Sequence, residues 1–262
     1  LAAIVGFRAT MKNMDKNITT FNKDSFNYSL SRPSYPKEIY DFLSQQVINN
    51  DTAWDCACGT GQIASSLIDY FSIVFASDIN SNQIDNRLEN ERIKYTIQNS
   101  EKTSYQDNFF DLVCVGQALH WFDFNRFFKE VNRVLRPNGV FACWGYSFFK
   151  ISPEIDKAIE INFLQPIYPY WSEKNYILWE KYISIDFPFM EIVSPEFEMI
   201  QDWTKEELFE YLITWSAYKR CVEETHKDLK TGYFKGLSKV WPDNYKMKIN
   251  MDFVFYSGRK KE

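Results

Sequence analysis

Histidine is almost absent: 262 residues contain only two, His120 and His226. Two histidines cannot build a three-histidine metal site. They allow at most one or two centres that use imidazole as acid or base. Cysteine is also sparse, at Cys56, Cys58, Cys114, Cys143 and Cys221. The number is odd, and four of them sit in apolar, strand-like runs. That pattern predicts reduced, buried thiols in a cytoplasmic protein rather than a disulfide framework. Cys56 and Cys58 are spaced C-x-C, which does not suit a zinc ribbon, and no second pair completes four ligands. No metal is expected. No apolar run approaches the roughly 18 residues of a membrane span, so no membrane partner is expected. Excess positive charge is lacking too. The net charge of −5 predicts no nucleic-acid partner. Gly-x-Ser-x-Gly and Gly-Lys-Ser/Thr are both missing, which excludes a hydrolase nucleophile elbow and a phosphate loop of that kind.

Aromatic residues are plentiful, with 23 Phe, 16 Tyr and 8 Trp. No internal repeat or linker is evident. Residues 1–20 read as a tail or cloning remnant, with Met11 and Met14 as alternative native starts. Residues 21–262 read as one domain, with cap segments at about 151–190 and 203–245. Tyr35, Ile39, Phe42, Leu43 and Val47 recur at helical spacing behind Pro36. Short apolar runs at 53–57, 73–78, 93–98, 112–115 and 140–144 predict strands. Helical segments at about 63–71, 80–88 and 124–135 fall between them. Pro137-Asn138-Gly139 should stop the last of these helices. Such alternation predicts an α/β fold with a doubly wound, mostly parallel sheet. Residues 151–190 show no clear strand. Residues 205–219 and 223–237 read as helices. Alternation near 196–200 and at 246–253 predicts a closing antiparallel hairpin. The segments between should lie over the carboxyl ends of the parallel strands. Arg259-Lys260-Lys261 reads as a solvated basic end.

The sharpest motif is Asp55-Cys56-Ala57-Cys58-Gly59-Thr60-Gly61. An acid ends the first strand and a tight turn opens a helix. Gly59 and Gly61 permit close backbone approach, and free N–H groups at the helix start can hold an anionic group. Asp78, 17 residues past Gly61, ends the second strand, where a carboxylate can accept from two ribose hydroxyls. A nucleoside-containing cofactor over the strand ends is the common reading. Gly59-Thr-Gly61-Gln-Ile-Ala64 also fits the dinucleotide pattern, so NAD(P) stands as an alternative. Asp55 argues the other way. A carboxylate there repels a pyrophosphate and pairs with an ammonium, such as that of S-adenosyl-L-methionine. Tyr-x-x-x-Lys pairs occur at Tyr170/Lys174 and Tyr256/Lys260, but neither ends a parallel strand.

Asp55-x-Ala57-x-Gly59-x-Gly61 resembles the first motif of class I S-adenosylmethionine-dependent methyltransferases, with Ala57 replacing the usual first glycine. Asp78 matches their second-strand acid. Phe109-Phe110-Asp111-Leu112-Val113 and Leu135-Arg-Pro-Asn-Gly139-Val140 match their fourth and fifth strands. Gln117-Ala-Leu-His120-Trp121-Phe-Asp123, Arg32-Pro-Ser-Tyr-Pro36 and Thr214-Trp-Ser-Ala-Tyr218 resemble the methyltransferase type 11 branch, which includes trans-aconitate methyltransferases and plant embryo-abundant proteins. The resemblance implies a seven-stranded sheet closed by the hairpin, with a helical cap. It implies that Gly59 and Gly61 bind the methionine end and Asp78 the ribose. Asn99-Ser100 falls where the family often has the Asp-Ala pair that contacts adenine, so it departs from the pattern there.

Methyl transfer needs alignment more than acid–base machinery, because the donor carries its own leaving group. His120, Trp121 and Gln117 follow the fourth strand, at the mouth of the sheet. His120 either orients or deprotonates the acceptor, shapes the pocket, or simply packs. Gln117 also opens onto the cofactor. Trp144, Tyr146, Trp215 and Arg220 are candidates for the substrate side, Arg220 through a bidentate contact with a carboxylate. His226 lies in a charged helix and reads as surface. The activity expected is methylation of a small molecule, with a carboxylate acceptor suggested by the resemblance. The rivals are an NAD(P)-dependent oxidoreductase and a non-catalytic cofactor-binding protein.

Overall fold

A computed structural model of the protein describes residues 32–261; the tail expected over 1–20, with Met11 and Met14, lies outside them. The described residues open with helix α1 (Lys37–Gln46) and strand β1 (Thr52–Cys56). Then come α2 (Gln62–Leu67), β2 (Ile73–Asp78), α3 (Ser81–Asp85), β3 (Ile93–Ile97) and β4 (Phe110–Gly116). Helix α4 (Phe124–Val134) leads directly into β5 (Leu135–Lys150). The helical region follows as α5 (Pro153–Ile159), a π turn (Glu160–Leu164) and α6 (Asn175–Trp179). Two short strands, β6 (Met190–Glu191) and β7 (Met199–Trp203), precede α7 (Lys205–Leu212), α8 (Ser216–Thr225) and α9 (Leu229–Leu237). Strand β8 (Met247–Arg259) ends the fold.

The sheet runs β3-β2-β1-β4-β5-β8-β6, parallel from β3 to β5 and antiparallel at β8. Among the described residues it has eight strands rather than seven, because β6 and β7 share the outer edge of β8, one at each end. Side chains alternate between faces, as strand geometry requires. Ala53, Val74, Ala76, Leu112, Cys114, Val140 and Trp144 meet Ile39, Leu43, Ile63, Leu67 and Ile84 from α1, α2 and α3. Trp54, Cys56, Val113, Val115, Phe141 and Cys143 face the other way, onto Phe127, Phe128, Val131 and Val134 of α4. The crossover from β3 to β4 carries no helix. Aromatic rings cover the sheet there instead: Tyr105 lies 5.3 Å from Trp54 and 4.9 Å from Phe110, centroid to centroid. All five thiols are free and buried, as expected.

The structure corrects several boundaries. Pro137-Asn138-Gly139 does not separate helix from strand. Helix α4 ends at Val134, and the tripeptide forms an irregular stretch within β5, with Asn138 left-handed at φ 62°. Strand β5 is three times the expected length. Beyond the point where Gly116 pairs Trp144, it continues against β8 to the Lys150–Asn250 pair. The helix expected over 205–219 breaks before Ser216, and the next is cut at His226, which takes φ 54° and closes α8. His226 is exposed, as expected. The basic end is not simply solvated. Arg259 donates to the carbonyls of Asn138 and Gln46, and Lys260 donates to Leu135 O and Asn108 Oδ1. These bonds clasp β8 to the start of β5.

The helices after β5 pack on its extension. Tyr146, Phe149, Ile249 and Met251 form one core with Ile155, Phe163, Leu208, Tyr211, Trp215, Tyr233 and Trp241. Because β5 runs parallel to β4, this layer stands over the carboxyl ends of the parallel strands. Among the described residues, no helix is long and apolar enough to cross a membrane.

Phe141 tests the opposite face. It is fully buried, with Phe189 at 5.0 Å, Phe128 at 5.8 Å and Phe127 at 6.0 Å. Phe141→Ala should cost about 3–5 kcal/mol, read as a lower urea midpoint at unchanged slope. A loss under about 1 kcal/mol would contradict this packing.

Candidate active site

The first turn after β1 is built on three left-handed residues: Ala57 at φ 55°, Gly59 at φ 56° and Gly61 at φ 91°. Glycine adopts such angles freely, whereas alanine at position 57 carries strain of about 1 kcal/mol. The amide of Cys58 donates to Ser77 O at 3.0 Å and that of Gly61 to Cys58 O at 2.9 Å. Gly59 N donates to Asp78 Oδ2 at 2.9 Å, while Asn80 N donates to Asp78 Oδ1 at 2.8 Å. Asp78 therefore locks the turn with both oxygens, each of which retains lone pairs. Burial pushes its pKa up, against the pull of the Asn80, Gly59 and Ile79 amides.

Asp55 lies beneath this turn, completely enclosed. Its Oδ2 accepts from Ala64 N at 2.9 Å, which fixes the start of α2. Its Oδ1 has no partner. Burial, followed by the neighbouring Asp78, raises its pKa to about 8. Gln83 Oε1 is a second buried acceptor without a partner. A Cβ placed on Gly59 would meet nothing within 4 Å except that Gln83 oxygen at 3.7 Å. The chain thus leaves a cradle over Gly59, flanked by acceptors. The burial of Cys56, Cys58 and Cys114 pushes their thiols well up, so they stay protonated.

After β3, Asn99 is exposed and its Oδ1 accepts from Glu101 N at 2.7 Å, closing a local turn. Ser100 is buried and hydrogen-bonds with Cys56. Gln117, at φ 58°, spends its amide on the main chain of Tyr146: Nε2 donates to Tyr146 O at 2.9 Å, and Oε1 accepts from Tyr146 N at 3.3 Å. It joins the end of β4 to β5.

His120 sits in a single 3-10 turn, Leu119–Trp121, and is 4% exposed, with Nδ1 unpartnered. Burial, then the Lys174 charge, lowers its pKa to about 3. It is neutral, beside the half-buried Trp121 at 4.9 Å between ring centroids. Trp144 is fully buried against Tyr35 at 5.7 Å and Phe255 at 6.0 Å. Tyr146 accepts from Arg32 Nη1 at 3.2 Å. Trp215 lies within the helical layer, 5.2 Å from Trp171 and 5.5 Å from Tyr211. Arg220, half-buried, donates to Tyr170 O at 3.1 Å.

The structure therefore brings Asp55, Ala57, Gly59, Gly61 and Asp78 to one turn, and gathers Gln117, His120, Trp121, Trp144 and Tyr146 at the end of β4 and the middle of β5. Trp215 and Arg220 stand back in the helical layer, Trp215 joined to Tyr146 through Tyr211. Sequence reasoning missed Gln83, Lys174, Asn175 and the mouth position of Tyr35. The last had a signal, because Arg32-Pro-Ser-Tyr-Pro36 carried part of the resemblance. That segment is tied to the turn through Gln62 Nε2, which donates to Pro33 O.

Residues 54–143 match the profile of a methyltransferase domain, a span that includes the turn, Asp78 and His120. The chain is an S-adenosylmethionine-dependent methyltransferase. A methyltransferase-type protein of Dictyostelium discoideum is 26% identical over 242 residues, covering 90% of this chain and 92% of that one. A solved type II methyltransferase-class protein of Anaeromyxobacter dehalogenans is 29% identical, with a TM-score of 0.80 over 87% of this chain and 97% of that chain. A Saccharomyces cerevisiae protein described as an S-adenosylmethionine-dependent methyltransferase is 27% identical over 165 residues, 60% of this chain and 55% of its own length. The cradle suits the cofactor: its amino-acid end carries an ammonium, and unpartnered acceptors flank the turn.

Asp55 keeps its proton in the folded state at pH values where the unfolded chain, with a pKa near 3.8, has lost it. Stability therefore falls as pH rises from about 4 to about 8. The melting temperature of the ligand-free enzyme should decline across that window, and Asp55→Asn should flatten the decline; parallel profiles would contradict the burial. His120, at about 3, should show ring resonances that do not move between pH 5 and 8. A midpoint near its ordinary value of about 6.5 would overturn its enclosure.

Proposed function

We propose that this methyltransferase acts on a small carboxylic acid and forms its methyl ester. One observation carries the reading: among the described residues, the histidine at the mouth of the site is unfit to remove a proton. His120 is buried, neutral and a weak base, with its pKa lowered to about 3. Burial keeps the nearby thiols protonated. An alcohol, phenol or ammonium acceptor generally has to lose a proton, whereas a carboxylate is already ionised at neutral pH. When bound, S-adenosyl-L-methionine supplies a methyl group activated by sulfonium; transfer to a carboxylate oxygen forms a C–O bond, breaks a C–S bond and moves no proton.

In this reading Ala57, Gly59 and Gly61 shape the backbone cradle for the methionine end. Asp55 supports the turn from below, and the ammonium beside its Oδ1 favours the ionised carboxylate when the cofactor is bound. Asp78 keeps Gly59 in place and accepts from the ribose. Asn99 and Ser100 border the adenine. Gln117 holds the end of β4 at fixed separation from Tyr146 in the middle of β5, so that Tyr146 and Trp121 wall the reacting centre. Trp144 stiffens that wall from behind. Trp215 and Arg220 support the layer that excludes water.

S-adenosylhomocysteine titrated calorimetrically should bind the wild type, and Asp78→Ala should weaken it by roughly 100-fold or more, two hydrogen bonds to a charged group being lost. Asp78→Asn, which keeps one acceptor, should fall between them. Affinity within fivefold of wild type in the alanine variant would remove Asp78 from the cofactor site. Labelled methyl transfer to acids should give base-labile ester.

A further inference from the structure

Lys174 brings a positive charge to the mouth of the site from an element the cofactor turn does not explain. Its Nζ donates to the carbonyl of Trp121 at 2.8 Å, on the turn that carries His120. It lowers the pKa of that histidine, second to burial, which places the two groups in each other's field. No carboxylate among the described residues pairs with Lys174. An ammonium has three donors, and the Trp121 carbonyl uses one.

Asn175 follows at once, as the first residue of α6, and is 8% exposed with Oδ1 unpartnered. Helix α6 packs directly on the Leu119–Trp121 turn. Two contacting elements therefore each carry an enclosed polar side chain without a partner: Nδ1 of His120 and Oδ1 of Asn175. Buried polar atoms are normally satisfied, and groups left open beside a site are where a ligand completes the bonding. The sign of that ligand follows from Lys174. A cationic acceptor would be repelled. A neutral one would leave the ammonium uncompensated in a half-enclosed position. An anion pairs with it and gains a charge-assisted hydrogen bond.

We propose that Lys174, with His120 and Asn175, forms the recognition site for the carboxylate of the methyl acceptor. This rests on the reading of the substrate as a small carboxylic acid. Lys174 holds one carboxylate oxygen and leaves the other to attack the methyl carbon. Neutral His120 donates through Nδ1–H without competing for a proton. The Asn175 carbonyl accepts from a hydroxyl or amide neighbouring the carboxylate, and so selects acids that carry one.

The test screens a library of small carboxylic acids and their matched primary amides for labelled methyl transfer, then takes the best acid into variants. Lys174→Met should lower kcat/KM for that acid by roughly 10–100-fold, chiefly through KM, and Lys174→Arg should recover most of the loss. S-adenosylhomocysteine affinity should stay within twofold in both, which also reports intact folding. Esterification of an acid with unchanged kcat/KM in Lys174→Met would overturn the role of Lys174 and leave the carboxylate reading standing. Equal losses for the acid and for a neutral acceptor would do the same. Absence of ester from every acid, with S-adenosylhomocysteine bound, would overturn the carboxylate reading itself and this assignment with it.

Discussion

The antiparallel pairing of β5 with β8 is the constraint on which the rest of the molecule depends. It runs from Val140–Arg259 to Lys150–Asn250, well past the last pair that β5 makes with β4. The excess length projects beyond the carboxyl ends of the parallel strands. Its side chains Tyr146, Phe149, Ile249 and Met251 are apolar or aromatic and must be covered. The helices before β6 and after β7 cover them, and in doing so roof the site. Arg259 and Lys260 anchor the far end to carbonyls at the start of β5 and the end of α1. The basic end thus keeps in register the same strand pair that carries the roof.

Aromatic abundance follows from that architecture. Rings stand in for a helix on the β3–β4 crossover, fill the face under α4, and join the sheet to the roof. Trp144, Tyr35, Tyr146, Tyr211 and Trp215 form a continuous series with centroid separations of 5.5–6.3 Å. Rings packed this closely are walls. Their rigidity suits a reaction governed by alignment, where small displacement of the acceptor costs rate. The few polar groups inside the walls then stand out: Asp55 below the turn, and His120 and Asn175 at the mouth.

Scarcity of histidine fits the same chemistry. His120 is enclosed and neutral, and the buried thiols of Cys56, Cys58 and Cys114 hold their protons. Burial sets these protonation states by penalising the charged form of each group. A sequence shows that His120 follows a strand; it does not show how much water the surrounding layer removes from it.

The sequence by itself determined what depends on local spacing. Short apolar runs placed β1, β2 and β4, and the helical stripe 124–135 placed α4. The acid–turn–glycine order of 55–61 marked the cofactor turn, because strand, tight turn and helix start are contiguous there and glycine is selected by backbone angle. Tertiary structure decided what depends on contacts between distant segments. Only there does β5 run on to Lys150, since its later residues are held by β8 about a hundred positions away. Gln117, read as a mouth residue, gives both ends of its amide to Tyr146. Lys174, half of a chance tyrosine–lysine pair in the sequence, reaches Trp121 across 53 positions. Burial and long-range hydrogen bonding are properties of the folded surface, and no periodicity along the chain encodes them.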